Sequence, residues 1–546
     1  MADPSYDFVI VGSGGGGLAA AIKAKLLGIR ALLIEKTPLI GGSSILSGGV
    51  IWMPNNPLMK RDGIKDSREA ALTYMAQFVG QNDLYSSPAR REAFVDTVDE
   101  FMTTMQAQGM KYRRCHNYSD YYEQLPGGHA IGRAVEAELF DWNRLGEWKA
   151  RTRPPSFPGP VRLSEASRLT LLGANKKSKL LAAQVAARFM IGKLTGQNLN
   201  GCGGSLQGRM LEIALKLGVE IWTEAPMIDL DVRNGIVEGV HIRHRGVPKI
   251  IRAARGVLVC TGGFARNTEM REKYHAHPIS DAWTFTNPGD TGEAIQIMER
   301  VGAGLGTMNA VWWNIAWRPE GAPQRIAIAE SNKPYGIMVD HAGKRFVNET
   351  ASYMEVGDAI YARHASTPNI PCWLVMDIRH RKRYTFSVQP PGSIPKDWVR
   401  RGWVYQDSTL EGLAKQCGID APGLKATVAR YNNMCENGVD EDYGRGTNAY
   451  HRHFGDPDVK PNPVMGAIAA PPFWAAPIWP GDVGTSGGVL ANGKAEVMRP
   501  DGSVIEGLYA AGNCTASLCG HYYVGAGQSI GASSIFGYIA AKQAAQ

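Results

Sequence analysis

The pattern of apolar and polar positions is clearest near the N-terminus, where two short apolar runs are separated by a glycine-rich turn and a helix-forming stretch. The run from Tyr6 to Val11 is apolar at almost every position, which predicts a strand covered on both faces. Residues 18–27 are rich in helix formers, and Ile29 to Ile34 is a second apolar run. This order of strand, helix and strand predicts the opening unit of an α/β fold with a parallel sheet.

The turn between the first strand and the helix has the glycine spacing of a dinucleotide-binding loop. Gly12, Gly14 and Gly17 fit G-x-G-x-x-G, and Glu35 falls 21 residues after Gly14, at the end of the second strand. Glycines let the backbone approach a pyrophosphate at the helix N-terminus, and the acid binds ribose hydroxyls. The predicted cofactor contacts in this unit are Gly12, Gly14, Gly15, Gly17, Glu35 and Lys36.

Three further stretches indicate which dinucleotide is bound. They are EKTPLIGGSSILSGGVIWMPNN directly after the second strand, GVLVCTGGFARN at 256–267 and GLYAAGNCTAS at 507–517. All three resemble the fumarate reductase/succinate dehydrogenase flavoprotein superfamily, which implies FAD. The resemblance adds as cofactor contacts Gly42, Ser43, Ser44, Ser47, Gly48, Gly262, Gly263, Gly512 and Asn513. Because no histidine precedes His116, we expect the FAD to be non-covalent.

The same resemblance implies how the chain is divided. Segments from both ends of the sequence complete the nucleotide-binding fold, so the predicted class is α/β. We expect a Rossmann-like FAD-binding domain split into residues 1–282 and 481–546. An inserted α+β catalytic domain that caps the substrate is expected between them, at 283–480.

The composition agrees with a protein of more than one domain and indicates its cellular location. The chain has 546 residues, 44% hydrophobic and 20% charged, which is typical of a globular protein of more than one domain. Its eight cysteines form no CxxC pair, the start MADPSYDFVIVG lacks a secretory pattern, and no run of 18 apolar residues occurs. We therefore expect a cytoplasmic protein. No pattern of metal-ligand spacing is present, so no metal site is predicted.

The net charge of +8 is concentrated in one segment. Between Lys149 and Lys193 ten residues are basic and one, Glu165, is acidic. Within it, KKSKLLAAQVAARFMIGKL has apolar residues at helical spacing, which leaves two interpretations open. The helix packs on its own domain with a solvated basic face, or it makes peripheral contact with an anionic membrane surface through 149–193. Nucleic acid is not an expected partner, because the charge is one local patch.

Dicarboxylate reduction, the fumarate reductase reaction, is disfavoured by two positions. Tyr353 stands four residues after the Glu of NE, where that superfamily has an arginine, and YYVGAGQSIG replaces its arginine-bearing glycine motif. A dianionic substrate would lose a charge partner at each point.

The tyrosines resemble instead the 3-ketosteroid Δ1-dehydrogenase family, over nearly the whole chain. The stretches GGSSILSGGVIWMPNN, YSDYYEQLPGG, GKRFVNETASY, GVDEDYGRGTNAYHRHFGDPDVKPNP, GDVGTSGGV and GHYYVGAG have counterparts there in the same order. The resemblance implies catalytic roles for Tyr121, Tyr353, Tyr523 and Gly527. It leaves Tyr122 as the alternative to Tyr121. We expect Tyr522 and His521 to pack in the protein or to line the pocket.

The implied reaction removes hydrogens from C-1 and C-2 of a 3-ketosteroid A ring. Tyr523 OH and the Gly527 N–H would stabilise the enolate oxygen. Tyr353 would take the C-2 proton as a phenolate, and the C-1 hydride would pass to flavin N5. Lowering the pKa of Tyr353 from about 10 to 7 needs roughly 4 kcal/mol, part of which we expect from Tyr121. Ser529 and Ile530 are expected to touch the flavin.

Some questions stay open at this stage. Val524 and Ala526 replace prolines that the family turn usually has, which predicts a looser turn. A related ring-A 4-dehydrogenase and a flavin electron carrier remain alternatives. The oxidant of the flavin is expected to be a quinone or another carrier, because one dinucleotide fingerprint is present. Trp52, Trp312, Trp313 and Trp317 suit either steroid walls or core packing.

Overall fold

A six-stranded sheet forms the centre of the fold in the computed structural model, which describes residues 5–80, 83–116 and 118–546. Part of the start predicted to lack a secretory pattern, residues 1–4, lies outside the described residues. The sheet is parallel except at one edge, where the first two strands of the order run antiparallel. In spatial order its strands are Glu496–Met498, Val504–Ala510, Val257–Val259, Phe8–Val11, Ala31–Ile34 and Glu220–Trp222.

Chain from both ends of the sequence meets in this sheet. Val257–Val259 pairs in parallel with Phe8–Val11 on one side and with Val504–Ala510 on the other. The N-terminal helix, Gly15–Leu26, packs on the C-terminal helix, Gln528–Gln543, at a glycine contact. A Cβ on Gly537 would lie 2.2 Å from the Gly16 carbonyl oxygen, so only glycine permits this approach.

Two other sheets flank the central one. Met227–Arg233, Ile236–His244 and Val247–Ala253 form an antiparallel meander, which Ser5–Tyr6 joins at its edge. Val50–Trp52 and Tyr112–Arg114 pair on either side of Ala134–Ala137. In the second of these sheets, Val50–Trp52 follows the glycine loops in sequence, and Tyr112–Arg114 comes just before the tyrosine segment at 118–122.

A separate sheet is built from the middle of the chain. Its ordered strands are Arg325–Ile326, Ala316–Trp317, Phe473–Trp479, Cys372–Met376 and Gly336–Val339, with Tyr405–Asp407 also paired to Phe473–Trp479. Two apolar clusters cover its faces, one around Trp317 and Trp398, the other around Leu424 and Tyr431. Short ladders also join Phe140–Asp141 with Leu199–Asn200, Leu305–Gly306 with Gly488–Val489, and Val311–Trp313 with Asp482–Thr485.

Helices surround these sheets. Their bounds are Pro57–Arg61, Arg68–Ala76, Pro88–Ala107, Leu163–Leu169, Lys176–Leu194, Cys202–Lys216, Thr268–Tyr274, Glu293–Arg300, Ile328–Ser331, Tyr353–His364, Ile378–Arg383, Lys396–Arg400, Leu410–Cys417, Ala421–Asn437 and Ala449–Arg452. Across the described ranges, none of the helices combines the length and the apolar character needed to cross a bilayer.

The basic helix Lys176–Leu194 packs less than its apolar spacing predicts. Leu181 and Val185 are half-buried, whereas Leu180, Phe189 and Met190 of the same predicted apolar face are exposed. The reason is that the helix contacts the rest of the protein along only a narrow strip.

Candidate active site

One large cavity, of about 1230 Å³, collects most of the residues predicted from the sequence. The four predicted catalytic residues line it: Tyr121, Tyr353, Tyr523 and Gly527. So do fifteen of the predicted cofactor contacts: Gly12, Gly14, Gly15, Glu35, Lys36, Gly42, Ser43, Ser44, Ser47, Gly48, Gly262, Gly512, Asn513, Ser529 and Ile530. Gly17 and Gly263 do not line it.

The glycine turn forms one end of the cavity. Gly14 is the N-cap of the N-terminal helix, Gly14 and Gly15 line the cavity, and the Gly15 N–H donates to the Ser44 hydroxyl at 3.1 Å. Gly12 has φ of +106°, and a Cβ there would lie 2.4 Å from the Cys260 carbonyl oxygen. A Cβ on Gly17 would lie 1.9 Å from the carbonyl oxygen of Gly12, so Gly17 serves helix–strand packing. The turn fits a pyrophosphate at a helix N-terminus.

Glu35 is held rigidly at the end of its strand. Its carboxylate accepts hydrogen bonds from the Ser13 and Thr37 hydroxyls, at 2.7 and 3.0 Å, and from the backbone N–H groups of both residues. The side chain is buried at the cavity wall. An acid fixed in this place suits ribose hydroxyls, because its position is set before the ligand binds.

The serine loop rests on residues that sequence reasoning missed. Ser43 donates to Asp290 at 2.8 Å, and Asn287 donates from its backbone and side chain to the Ser43 hydroxyl. Burial raises the pKa of Asp290 to about 7, with Ser43 and Asn287 opposing the rise. The stretch NPGDTGEA, which contains both, could have signalled a site, because its acids lie in a glycine-rich turn.

Two other predicted cofactor residues have protein partners. The Lys36 ammonium donates to the Thr291 hydroxyl at 2.6 Å and pairs with Glu293 at 3.2 Å. Gly263 packs on Thr485, where a Cβ would lie 2.0 Å from the hydroxyl oxygen. Lys36 therefore joins two segments at the cavity wall, and Gly263 allows a tight turn.

Three tyrosines meet at the other end of this glycine-lined region. The Tyr121 hydroxyl donates to the Tyr353 hydroxyl at 3.2 Å, and their rings meet edge to face. The Tyr523 ring centroid lies 5.5 Å from that of Tyr353 and 5.8 Å from that of Tyr121. Tyr450 was not singled out in the sequence, yet its ring lies 4.2 Å from Tyr121 and also lines the cavity.

The position of Tyr353 follows from a capped helix. Tyr353 is the first residue of the helix Tyr353–His364, and Glu355 accepts from the Ser352 N–H in a capping box. The preceding loop, GKRFVNETAS, is anchored by a buried ion-pair network. In it Glu349 binds both Arg345 and Arg445 at 2.9 to 3.0 Å. Glu349, the acid of the NE pair, thus supports the loop and does not reach the tyrosines.

Tyr523 and Gly527 flank a tight turn at the start of the C-terminal helix. Gly527 is the N-cap, with φ of +83°, and a Cβ there would lie 2.0 Å from the Val50 carbonyl oxygen. The Tyr523 hydroxyl is 3.1 Å from the Ser529 hydroxyl and accepts from the Ser529 N–H at 3.4 Å. A phenol and the N–H groups of a helix start therefore converge on one part of the cavity.

Hydrogen bonds hold this turn, in which Val524 and Ala526 stand where the family usually has prolines. The Val524 N–H, which proline would lack, donates to the Gln528 side chain at 2.6 Å. The Val524 carbonyl accepts from the Tyr121 N–H at 2.9 Å and from the Tyr74 hydroxyl at 2.7 Å. Hydrogen bonds supply the rigidity, and one of them ties the turn directly to Tyr121.

A buried charge cluster orients the segment that contains Tyr121. Asp120 pairs with Arg133 at 2.9 Å and accepts from the Trp52 indole N–H at 2.7 Å. Arg133 also pairs with Asp66 at 2.7 Å, and all three charged side chains are almost fully buried. Breaking such a cluster leaves an uncompensated charge, so these residues lock the backbone on both sides of Tyr121.

The electrostatics of the tyrosines differ from the sequence-based expectation. Burial raises the pKa of Tyr353 well above its usual value, and the Tyr121 and Tyr523 hydroxyls add to the rise. The expected lowering of this pKa by Tyr121 is therefore wrong for the protein groups alone, since a neutral phenol does not offset burial. Burial also raises the pKa of Tyr523, although Ser529 and the Gly527 backbone oppose the rise.

The remaining aromatic candidates lie in the core. Tyr122 packs against Phe78 and Tyr522, and its side chain does not reach the cavity. The four tryptophans considered from the sequence are buried outside the cavity wall: Trp52, Trp312, Trp313 and Trp317. Trp312 still supports the site, because its ring meets Tyr523 edge to face at 4.9 Å.

Comparisons with known proteins agree with this arrangement. The FAD binding domain family model matches residues 7–530, which confirms FAD as the predicted cofactor. The chain is 40% identical to the 3-oxosteroid 1-dehydrogenase of Mycobacterium tuberculosis over 99% of its length and 98% of the relative. It is 38% identical to that of Mycolicibacterium smegmatis, over 99% and 97%. The structure of 3-ketosteroid Δ1-dehydrogenase from Sterolibacterium denitrificans with 1,4-androstadiene-3,17-dione is similar, with a TM-score of 0.93, 34% identity and 99% coverage of both chains.

Proposed function

The chain belongs to the FAD binding domain family and, within it, to the 3-oxosteroid 1-dehydrogenases, and from that premise we propose how its residues carry out the reaction. Its activity is the FAD-dependent 1,2-dehydrogenation of 3-ketosteroids. The observation that carries the mechanism is the convergence of Tyr121, Tyr353, Tyr523 and Gly527 on one cavity with the glycine loops.

The residues of the glycine loops fit FAD. The start of the N-terminal helix would hold the pyrophosphate, Glu35 the ribose, and the Ser43–Asp290–Asn287 group the loop that covers the cofactor. When bound, FAD accepts the C-1 hydrogen together with its electron pair. The attachment is non-covalent, because His453, the histidine among the described residues that line the cavity, packs on Tyr118 and Phe454 and not on the serine loop.

Tyr523 and Gly527 hold the 3-keto oxygen. As the C-2 proton leaves, negative charge develops on that oxygen and must be stabilised where it forms. The Tyr523 hydroxyl and the N–H of Gly527 are donors fixed by the turn and by the start of the C-terminal helix. Donors fixed in advance cost no reorganisation during the reaction, and each is worth on the order of 10²–10³ in rate.

Tyr353 removes the C-2 proton, with Tyr121 donating a hydrogen bond to it. The electrons of the broken C-2–H bond move into the new double bond between C-1 and C-2 as the C-1 hydrogen departs as hydride. A Tyr353 pKa above 10 makes the phenolate a minor species at neutral pH but a stronger base. The rate should therefore rise with pH through the alkaline range.

We infer the same division into domains that the sequence predicts. Residues 1–282 and 481–546 form the FAD-binding domain, and 283–480 form the catalytic domain that caps the substrate. The parallel pairing of Val257–Val259 with Val504–Ala510 supports the split, and the sheet built from 316–479 supports the insertion.

The helix Lys176–Leu194 makes peripheral contact with an anionic membrane surface. Leu180 and Leu194 are 62% and 87% exposed, Phe189, Met190 and Ile191 about half exposed, and Lys176, Lys177 and Lys179 lie exposed beside them. Exposed apolar side chains combined with lysines suit an anionic interface. The contact would place the protein at the inner membrane surface, where apolar steroids partition. The oxidant of the reduced flavin is a quinone or another carrier.

An anaerobic half-reaction tests the assignment. We expect the flavin absorbance of the FAD-loaded protein to bleach on mixing with androst-4-ene-3,17-dione, with formation of the 1,4-diene. Tyr353→Phe should bind FAD normally and lose bleaching by at least about 10³-fold, because the base is absent. Bleaching at the normal rate in that variant would reject Tyr353 as the base, and no bleaching in the unaltered protein would reject the activity.

A further inference from the structure

A short segment of the inferred catalytic domain, residues 445–453, contacts both of the segments that carry Tyr121 and Tyr353. These two tyrosines are 232 positions apart in the sequence, yet their hydroxyls meet at 3.2 Å. Their alignment therefore depends on the contacts that hold the two segments together. Within residues 445–453, Tyr450 is buried and lines the cavity, but it has no role in the reaction proposed above.

On one side, the 445–453 segment is joined to the loop that precedes Tyr353. Arg445 pairs with Glu349 at 3.0 Å, and both side chains are fully buried. The Nδ2 atom of Asn348 lies 3.4 Å from the ring Nδ1 atom of His451. Separating a buried ion pair leaves an uncompensated charge, so the loop and the segment are held as one unit.

On its other side, the 445–453 segment contacts the tyrosine segment. The Ala449 N–H donates to the Glu123 carboxylate at 2.5 Å. The ring centroid of His453 lies 4.1 Å from that of Tyr118. These two contacts lie on either side of Tyr121 in the sequence, so they fix the stretch of chain that contains it.

Tyr450 makes the contact with the Tyr121 side chain itself. The two ring centroids are 4.2 Å apart, with the ring planes inclined by 36°. The rings of Tyr353 and Tyr523 are farther from Tyr121, at 5.3 and 5.8 Å. The Val524 carbonyl holds the Tyr121 backbone, but a backbone hydrogen bond does not by itself choose among the staggered rotamers of the side chain. The rings packed on Tyr121 make that choice, and Tyr450 is the nearest of them.

We propose that Tyr450 is a positioning residue, whose ring holds Tyr121 in the rotamer that brings its hydroxyl to Tyr353. The proposal rests on the proposed function, in which Tyr353 takes the C-2 proton while Tyr121 is hydrogen-bonded to it. Tyr450 acts through ring packing and moves no proton. A smaller side chain at position 450 would leave space into which the Tyr121 ring turns, and the hydrogen bond to Tyr353 would then be lost.

A double-mutant cycle in the FAD-loaded protein tests the proposal. The measured quantity is the limiting rate of anaerobic flavin bleaching at saturating androst-4-ene-3,17-dione, which separates positioning from a loss of steroid affinity. We expect Tyr450→Leu to lower this rate by roughly 2- to 12-fold, the loss for one net hydrogen bond, with FAD still bound. Tyr450→Phe keeps the ring and should restore the rate. In the Tyr121→Phe background, Tyr450→Leu should cause no further loss, because the hydroxyl that it positions is already absent.

Tyr405→Leu is the matched control and should bleach at the normal rate. It truncates a tyrosine of the same inferred domain that packs on Trp373 and does not line the cavity. An unchanged rate in Tyr450→Leu would overturn the proposal. An equal fractional loss with and without the Tyr121 hydroxyl would overturn it as well, because Tyr450 would then support the fold or touch the steroid directly.

A second variant keeps the test decisive if Tyr450→Leu fails to bind FAD. Glu123→Ala removes the acceptor of the Ala449 N–H from outside the cavity wall. It should slow bleaching only while the Tyr121 hydroxyl is present, and the same loss in both backgrounds would overturn the proposal. Failure of the proposed function is distinguishable, because the unaltered protein would then not bleach, or Tyr121→Phe alone would leave the rate unchanged.

Discussion

Tyr121→Phe perturbs the site at a single hydrogen bond, the 3.2 Å contact from its hydroxyl to that of Tyr353. Because the Tyr121 hydroxyl adds to the rise in the pKa of Tyr353, we expect its loss to act through the position of the Tyr353 phenol and not by raising that pKa. One net hydrogen bond is worth about 0.5–1.5 kcal/mol, and each ~1.36 kcal/mol is a factor of ten in rate. The bleaching rate of Tyr121→Phe should therefore fall by roughly 2- to 12-fold.

The assay is the anaerobic bleaching of the flavin by androst-4-ene-3,17-dione, followed from pH 7 to 10.5. We expect the loss of rate in Tyr121→Phe to be similar across this pH range, because the variant changes the position of the Tyr353 phenol and does not raise its pKa. Tyr122→Phe is the matched control, because it removes a tyrosine hydroxyl one residue away, from a ring packed on Phe78. The reasoning is refuted if the rate is unchanged, if the loss is confined to low pH, or if the control loses rate to the same extent.

Three other perturbations test separate parts of the site and surface. Tyr523→Phe should lower the bleaching rate by about 10²–10³ with FAD affinity unchanged, since one oxyanion donor is lost; a change below threefold would contradict that role. Gly527→Ala should lower the free energy of unfolding by at least about 1–2 kcal/mol in denaturant titrations, because of its positive φ and the nearby Val50 carbonyl; unchanged stability would contradict the close approach. Phe189→Ser with Leu194→Ser should weaken sedimentation with phosphatidylglycerol vesicles by about tenfold or more, without changing the bleaching rate, because two exposed apolar side chains are lost. Equal sedimentation of both proteins would argue against membrane contact.

The cofactor end of the site could be predicted from the sequence because its signals are local. The approach of backbone to a phosphate at Gly12 and Gly14 requires glycine whatever the rest of the chain does. Even there the sequence misjudged one role, since Gly17 contacts the Gly12 carbonyl and not the cavity. Glycine spacing indicates that something approaches the backbone closely, but it does not tell whether that is a ligand or another part of the protein.

The tyrosines could be predicted by their resemblance to a family, but their electrostatics could not. The rise in the pKa of Tyr353 comes first from burial and then from tyrosines of separate segments, among them Tyr121 and Tyr523. The hydrogen bonds of the Val524 carbonyl likewise come from Tyr121 and Tyr74, which no local pattern connects to it. Burial and hydrogen-bond partners belong to the folded arrangement, so the sequence could not supply either.

The sequence by itself determined the α/β class, the dinucleotide loop and the residue types that do the chemistry, since each depends on spacing within a short stretch. The tertiary structure alone decided that Tyr121 and not Tyr122 reaches Tyr353, and that Asp290 supports Ser43. These residues come from separate segments whose meeting depends on packing of the whole chain. Long-range packing also sets which carboxyl and phenol groups lose water, and therefore their acidity.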